Sequence, residues 1–299
     1  MTTERDWIAE QFEEHREHLR RVAYRMLGSS SDAEDAVQDA WLRVSRADAE
    51  DVENLRAWLT TIVARVSLNM LRSRNARRHD LIDNDEFHQF VRDDSVDAAQ
   101  EAMLADSVGL ALLVVLDRLT PAERLAFVLH DMFDLPFEEI APIVGRTPTT
   151  ARQLASRARR RVRGGDADAG TDADLRRRRE VVEAYLAASR EGNFAALLEL
   201  LDPDVVLRVE DPRESPVKRL EFNGAPMLLE RGRDFSRAAR FCRVALLDGS
   251  PGLVMAPLGR LARAIAFSFS GDRISTIEVI ADPERLRRIQ VSLGERDGG

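Results

Sequence analysis

One cysteine, Cys242, stands in the 299 residues, so the chain forms no internal disulfide and holds no cysteine-based metal cluster. Its setting in the run Phe241 to Leu247 reads as a small apolar residue buried in a strand. Aromatic residues are scarce at 6%, which leaves Leu, Ala and Val to fill the cores and favours helix-rich packing. The longest apolar run, Val108 to Leu116, stops at Asp117, well short of the ~20 residues that cross a bilayer. The opening stretch MTTERDWIAEQFEEHREHLRR is charged throughout and lacks the apolar heart of a secretion signal. A cytoplasmic protein with no membrane partner is therefore expected.

What is present is a strong separation of charge, which the net value of −8 conceals. Arg65, Arg72, Arg74, Arg77 and Arg78 form one basic stretch without a carboxylate among them, and Arg146, Arg152, Arg157, Arg159, Arg160, Arg161 and Arg163 form a second. Between them, Asp80 to Asp106 is acidic, relieved only by Arg92. Such blocks are an electrostatic footprint for a polyanion that the whole-chain charge hides.

Periodicity divides the chain. Residues 1–78 read as helices, 79–104 as an acidic linker with room for a short helix, 105–164 as a second helical unit and 165–174 as another linker. Residues 175–291 change class, and 292–299 are a tail. Ile8, Phe12, Leu19, Val22, Ala23 and Met26 recur at helical spacing, and Gly28 with Ser29 to Ser31 supplies a stop and a turn. Ser31 and Glu34 read as a capping box ahead of the stripe Ala33, Ala36, Val37, Ala40, Trp41, Val44. A longer helix follows with a buried face of Leu55, Trp58, Leu59, Ile62, Val63, Val66 and Met70. In the last unit two amphipathic helices precede short runs of strand character, Val205 to Val209, Phe241 to Leu247, Gly252 to Met255, Ala262 to Phe269 and Ile274 to Ile280, with Gly271-Asp272 placed to turn a hairpin. The expected fold class is multidomain, two all-α domains followed by an α+β domain with an antiparallel sheet.

The residues richest in chemistry lie between Phe137 and Val162. Phe137, Ile140, Ala141, Ile143 and Val144 make a short apolar-faced helix, which Pro142 should kink or shorten. Gly145 breaks it, and Thr147-Pro148 opens another helix in the order N-cap, then proline. That second helix buries Ala151, Leu154, Ala155, Ala158 and Val162 and offers Thr149, Thr150, Arg152, Gln153, Ser156, Arg157, Arg159 and Arg160 outward. Small residues inside and Arg, Gln, Ser and Thr outside suit a helix-turn-helix, whose recognition helix meets base edges and phosphates in the major groove.

Residues 116–162, LDRLTPAERLAFVLHDMFDLPFEEIAPIVGRTPTTARQLASRARRRV, resemble region 4 of the extracytoplasmic-function sigma factors, with sigma region 2 in the earlier helices. SDAEDAVQDAWLRV, residues 31–44, is similar to region 2.2, and LRAWLTTIVARVSLNMLRSRNARR, residues 55–78, to regions 2.3 and 2.4. The resemblance implies a sigma factor that brings core RNA polymerase to promoter DNA and has no catalytic residue, metal or cofactor. Glu34, Asp35, Gln38, Asp39 and Trp41 would bind core polymerase, its β′ and β subunits, through an acidic face that repels DNA; Trp41 reads equally as core. Asn54, Arg65, Asn69, Arg72 and Arg74 would hold an opening −10 element. Thr149, Thr150, Arg152, Gln153, Ser156, Arg157 and Arg160 would bind the −35 element.

VVEAYLAASREGNFAALLELLDPDVVLRV and FSFSGDRISTIEVIADPERLRRI are similar to pieces of the SnoaL-like branch of the nuclear-transport-factor-2 (NTF2-like) cone fold. The resemblance implies a domain that contacts the sigma domains and tunes their activity. All five histidines (His15, His18, His79, His88 and His130) precede it, leaving Asp204, Glu210 and Asp211 as possible pocket acids. The DGGG and WLPEP motifs of one large subgroup are missing: Asp211-Pro212-Arg213-Glu214 stands near the place of the first, and residues 80–95 contain no proline. Two other readings remain: a helix-turn-helix transcriptional regulator with a ligand-binding C-terminal domain, and a SnoaL-type enzyme fused to a DNA-binding module.

Overall fold

The computed structural model describes residues 4–47, 52, 54–77, 107–164, 172–211, 217–225, 227–228, 235–236, 238–256 and 261–293. The expected acidic linker, most of the second linker, Pro212 to Glu214 and the tail's last residues lie outside this set. Two compact units result, one drawn from residues 1–79 and 116–161, the other from 80–115 and 162–299. Helix α4 (Ser107–Asp117) crosses the division in sequence.

The first unit holds α1 (Glu4–Leu27), α2 (Ser30–Val44), α3 (Leu55–Arg77), α5 (Pro121–Phe127), a π-helical turn (Val128–Met132), α6 (Phe137–Val144) and nearly all of α7 (Pro148–Arg163). Helix α1 buries the stripe read from its spacing, Ile8 through Met26, and ends at Gly28 with φ +75°. Helix α2 buries Ala33, Ala36, Val37, Ala40 and Val44, but its N-cap is Ser29, whose hydroxyl accepts from the Asp32 amide. The expected capping box is absent: the Ser31 hydroxyl pairs with that of Ser29, and Glu34 lies 3.9 and 3.8 Å from Arg16 and Arg20. Consecutive serines offer equivalent caps, and the first one after Gly28 takes the role.

Helix α3 is buried more widely than one stripe allows. Leu59, Thr60, Val63, Ala64, Val66, Ser67, Leu68 and Leu71 are buried, while Leu55, Trp58, Ile62 and Met70 are half-buried. The cause is that α3 packs against α5 and α6 as well as against α1 and α2. Arg124 of α5 is 3% exposed, and its Nε and Nη2 donate to the Arg25 carbonyl at 3.2 and 3.0 Å. A cation thus satisfies an orphan carbonyl at the α1 C-terminus, where the helix dipole favours positive charge. Beside it, His18 meets Phe133 edge-on at 5.4 Å. Arg56 donates to His18 Nδ1 at 3.2 Å, and His18 Nε2 lies 3.1 Å from Thr60 Oγ1, whose hydroxyl donates to the Arg56 carbonyl at 2.7 Å. Because arginine only donates, Nδ1 is the acceptor and the proton sits on Nε2. Burial, then the charges of Arg56, Arg21 and His15, lower its pKa from 6.5 to about 4.

The second unit closes with α8 (Asp172–Glu191), α9 (Phe194–Leu200), a sheet of β1 (Leu201–Asp211), β2 (Lys218–Asn223), β3 (Cys242–Leu247), β4 (Ser250–Met255), β5 (Arg263–Ser270), β6 (Arg273–Ile280) and β7 (Val291–Ser292), and α10 (Pro283–Arg288). The strand order is β2-β1-β6-β5-β4-β3-β7. Pairing is antiparallel except between β1 and β6, so the sheet is mixed where a purely antiparallel one was expected. The chain leaves β2 at one edge, re-enters at β3 near the other, and the β3–β6 meander returns to β1 running in its direction. Gly271-Asp272 makes the expected two-residue turn, with Ser270 opposite Arg273. Asp248 and Gly249, both at positive φ, make a second such turn between β3 and β4. One sheet face packs with α8 and α9 around Val182, Tyr185, Leu197, Phe241, Leu253 and Ile265. Cys242 is fully buried in β3, as expected, and burial pushes its thiol up to about 12.

Candidate nucleic-acid and polymerase interfaces

Helix α2 turns its small residues inward and its acids outward. Glu34, Asp35, Gln38 and Asp39 are exposed; Glu34 leans toward Arg16 and Arg20, whereas the other three have no polar partner among the described residues. Trp41 is half-buried, its ring 5.2 Å from that of Phe12 and tilted by 54°, so it both packs and presents an edge. Leu42, at 48% exposure, extends the line Asp35, Gln38 and Asp39 by one turn. Sequence reading missed it, although an unburied leucine in phase with the acids was the available signal.

On α3, Arg65, Asn69 and Arg72 are exposed at spacings of four and three, which puts them on one stripe. Arg74 departs from that stripe. Nine positions on from Arg65 is half a turn round the helix, and there Arg74 forms an ion pair with Asp32 and donates to the Leu27 carbonyl at 3.1 Å, bracing the α1–α2 junction. Asn54 is exposed, but its side-chain oxygen accepts from the Ala57 amide at 3.1 Å and caps α3. Asp51 and Glu53 beside it lie outside the described residues.

The helix-turn-helix forms as read from the sequence. Gly145 ends α6 in the left-handed conformation, the Arg146 amide bonds back to the Ala141 carbonyl at 3.0 Å, and Thr147 Oγ1 accepts from the Thr150 amide at 3.3 Å. Pro142 sits exposed within the eight-residue α6, close to its C-terminal end. Ala151, Ala155, Ala158 and Val162 are buried and Leu154, expected among them, is half-buried, while Thr149, Arg152, Gln153, Ser156, Arg157 and Arg160 are exposed. Thr150 is half-buried and its hydroxyl pairs with that of Thr147 at 2.9 Å, so it belongs to the cap. Asp131, Phe137 and Glu123, which sequence reading did not single out as site residues, hold Arg159, Arg152 and Arg161.

The family model for Sigma-70 region 2 matches residues 11–77, and that for Sigma-70, region 4 matches residues 109–162. A probable ECF RNA polymerase sigma factor, SigI of Mycobacterium tuberculosis, is 33% identical over 293 residues, 98% of this chain and 99% of its own length. The chain belongs to the ECF RNA polymerase sigma factors. SigJ of Mycobacterium tuberculosis, also an ECF sigma factor, is 41% identical over 207 residues, 69% of this chain and 66% of its own length. The crystal structure of SigJ covers 93% of this chain and 98% of its own at 30% identity, with a TM-score of 0.41. Within these matched regions the chain carries two exposed cationic stripes, one on α3 and one on α7.

In the C-terminal unit the three carboxylates read as possible pocket acids have different fates. Glu210 is 4% exposed and fully engaged: Oε2 accepts from the Ala281 and Asp282 amides at 3.0 and 2.9 Å, and Oε1 from Arg285 and from Arg219. Burial raises its pKa, but the amide and Arg285 bonds outweigh that and hold it below the usual carboxylate range. Glu210 therefore locks the start of α10 to β1, a structural task. Asp204 is exposed, and Asp211 lies opposite Lys218 in the β1–β2 ladder. No helix among the described residues is long and apolar enough to cross a membrane, and none of their His, Cys, Asp and Glu side chains group as a metal site.

Proposed function

We propose that this sigma factor takes hold of core RNA polymerase with the acidic face of α2, through Asp35, Gln38, Asp39, Trp41 and Glu34 against the β′ and β subunits. It reads promoters with α3 and α7. Arg65, Asn69 and Arg72 serve the −10 element, on a helix that Asn54 caps and Arg74 braces against the α1–α2 junction; Thr149, Arg152, Gln153, Ser156, Arg157 and Arg160 serve the −35 element, with Thr150 in the cap of their helix. The work is done in the cytoplasm by contact energy, without catalysis.

The observation that carries this reading is the coexistence, in one chain alignable nearly end to end with SigI, of an acidic helix face whose Asp35, Gln38 and Asp39 have no polar partner among the described residues and two cationic stripes on separate helices. A regulator using only the helix-turn-helix has no need of the first two, which disfavours that alternative. The C-terminal unit, of SnoaL-like resemblance, tunes initiation through contacts with the sigma regions.

Run-off transcription with core polymerase and a genomic promoter pool tests the whole. Initiation at a restricted set of templates is expected, with loss on Asp35→Lys. Silence at every template together with no co-purification with core polymerase overturns the reading. A chain truncated after Arg163 should change the output, and an unchanged output removes the tuning role.

A further inference from the structure

The cations of α7 are not equivalent. The Arg152 guanidinium lies 5.2 Å from the centre of the Phe137 ring, which is itself 4.0 Å from the His130 ring. Arg159 Nε donates to Asp131 at 2.6 Å, and Arg161 Nη1 donates to Glu123 at 2.8 Å. Each of these three is held by another segment of the same unit. Thr149, Gln153, Ser156, Arg157 and Arg160 are exposed and have no polar partner among the described residues. They recur at three- and four-residue steps and so share one face of the helix.

Resting on the sigma-factor reading, we infer that base identity in the −35 element is read by Gln153 and Arg157, and that Arg152, Arg159 and Arg161 contribute no base preference. The argument is one of available donors and reach. A guanidinium reads guanine by placing two N–H groups on O6 and N7, and a glutamine amide reads adenine by a donor–acceptor pair on N7 and N6. Both need the planar end of the side chain free to turn into the groove. Arg159 and Arg161 have donors committed to carboxylates, and Arg152 lies against Phe137. The hydroxyls of Thr149 and Ser156 serve any base, so they discriminate little. Arg160 stands nearly one turn nearer the C-terminal end of α7 than Arg157, and recognition helices meet base edges mainly with their N-terminal part.

Gln153 and Arg157 stand one turn apart, with Cβ atoms about 5–6 Å from each other. Base pairs rise by about 3.4 Å. The element therefore contains an adenine and a guanine separated by no more than one or two steps.

The test is multi-template transcription by the full chain with core polymerase on a promoter library randomised across the −35 element, read by sequencing the transcripts. Arg157→Ala should flatten the preference for guanine at one position, a loss of roughly 5- to 150-fold in discrimination, and leave the other positions ordered as in the unmodified chain. Gln153→Glu should move a neighbouring preference from adenine to cytosine, since a carboxylate accepts from the cytosine amino group. A merely structural role does not produce such a switch. Arg152→Ala and Arg159→Ala should scale all templates together. Uniform scaling by Arg157→Ala and Gln153→Glu, or position-specific relaxation by Arg152→Ala or Arg159→Ala, overturns the assignment. Selection of randomised duplexes by the full chain without polymerase, scored for the same variants, separates failure of this assignment from failure of the sigma-factor reading.

Discussion

Replacing Arg124 with leucine removes a cation that is 3% exposed and that gives two hydrogen bonds, at 3.2 and 3.0 Å, to the Arg25 carbonyl. Hydrogen bonds to charged groups contribute about 1.5–3 kcal/mol, and a buried carbonyl left without a donor costs on the order of 1–3 kcal/mol. Because both bonds end on one oxygen the terms overlap, and the expected loss is about 2–4 kcal/mol. Leucine keeps much of the packed volume, so little of that loss is a cavity term. With a urea dependence of about 2 kcal/mol per molar for a unit of this size, the midpoint should fall by about 1–2 M. The measurement is selective, because all three tryptophans, Trp7, Trp41 and Trp58, lie in the first unit and their emission follows its unfolding alone. A midpoint within about 0.3 M of the unmodified chain would refute the idea that this cation holds α5 against the end of α1.

His18 is neutral when folded, with its pKa lowered from 6.5 to about 4, so the stability it confers is present above 6.5 and drains away as pH falls from there toward 4. Between pH 6.5 and 5 the loss should approach about 2 kcal/mol in tryptophan-detected unfolding, and His18→Gln should flatten that slope; an equally steep slope in the variant rejects the assignment. Glu210→Ala leaves the Ala281 and Asp282 amides without their acceptor while Arg285 keeps Glu278, at a cost of about 2–4 kcal/mol. Hydrogen exchange at Ala281 and Asp282 should accelerate by at least a hundredfold, and unchanged protection would show that the carboxylate does not lock α10. Cys242, buried and pushed up to about 12, should resist a disulfide reagent at pH 8 until the chain unfolds; labelling of the native protein at the rate of a free thiol contradicts its placement.

Much of this was readable from residue order where one element buries one face. Helix α1, the inner side of α2 and the α6–turn–α7 unit follow their hydrophobic spacing, because each presents a single stripe to a single neighbour. Helix α3 escaped that logic. Its buried set reaches beyond the expected stripe to Thr60, Ala64, Ser67, Leu68 and Leu71, because a second set of helices, remote in sequence, packs on it. Strand β2 was missed for the opposite reason: as an edge strand with Leu220 and Phe222 only half-buried, KRLEFN has little hydrophobic signal to show. At the site, residue type identified the cationic faces, but not which cations are already engaged. Arg74 and Arg152 read as free DNA contacts in the sequence, and only the fold brings Asp32 to one and Phe137 to the other.

The shared packing of regions 2 and 4 bears directly on how promoters are engaged. A compact unit of on the order of 125 residues has a radius of gyration of about 14 Å. Elements centred near −10 and −35 are about 25 base pairs, or about 85 Å, apart on B-form DNA. With the two elements held by α3 and α7 as proposed, one packed unit cannot reach both, and simultaneous engagement then requires the contacts of Arg124 with Arg25 and of His18 with Phe133 to be given up. Arg124→Leu should then act oppositely in two assays. It weakens the unit toward urea, yet at limiting core polymerase it raises initiation severalfold, because less free energy opposes the separation. With native tryptophan emission retained, a fall in initiation would mean that the α5–α1 contact survives in the transcribing complex, and the separation argument would be lost.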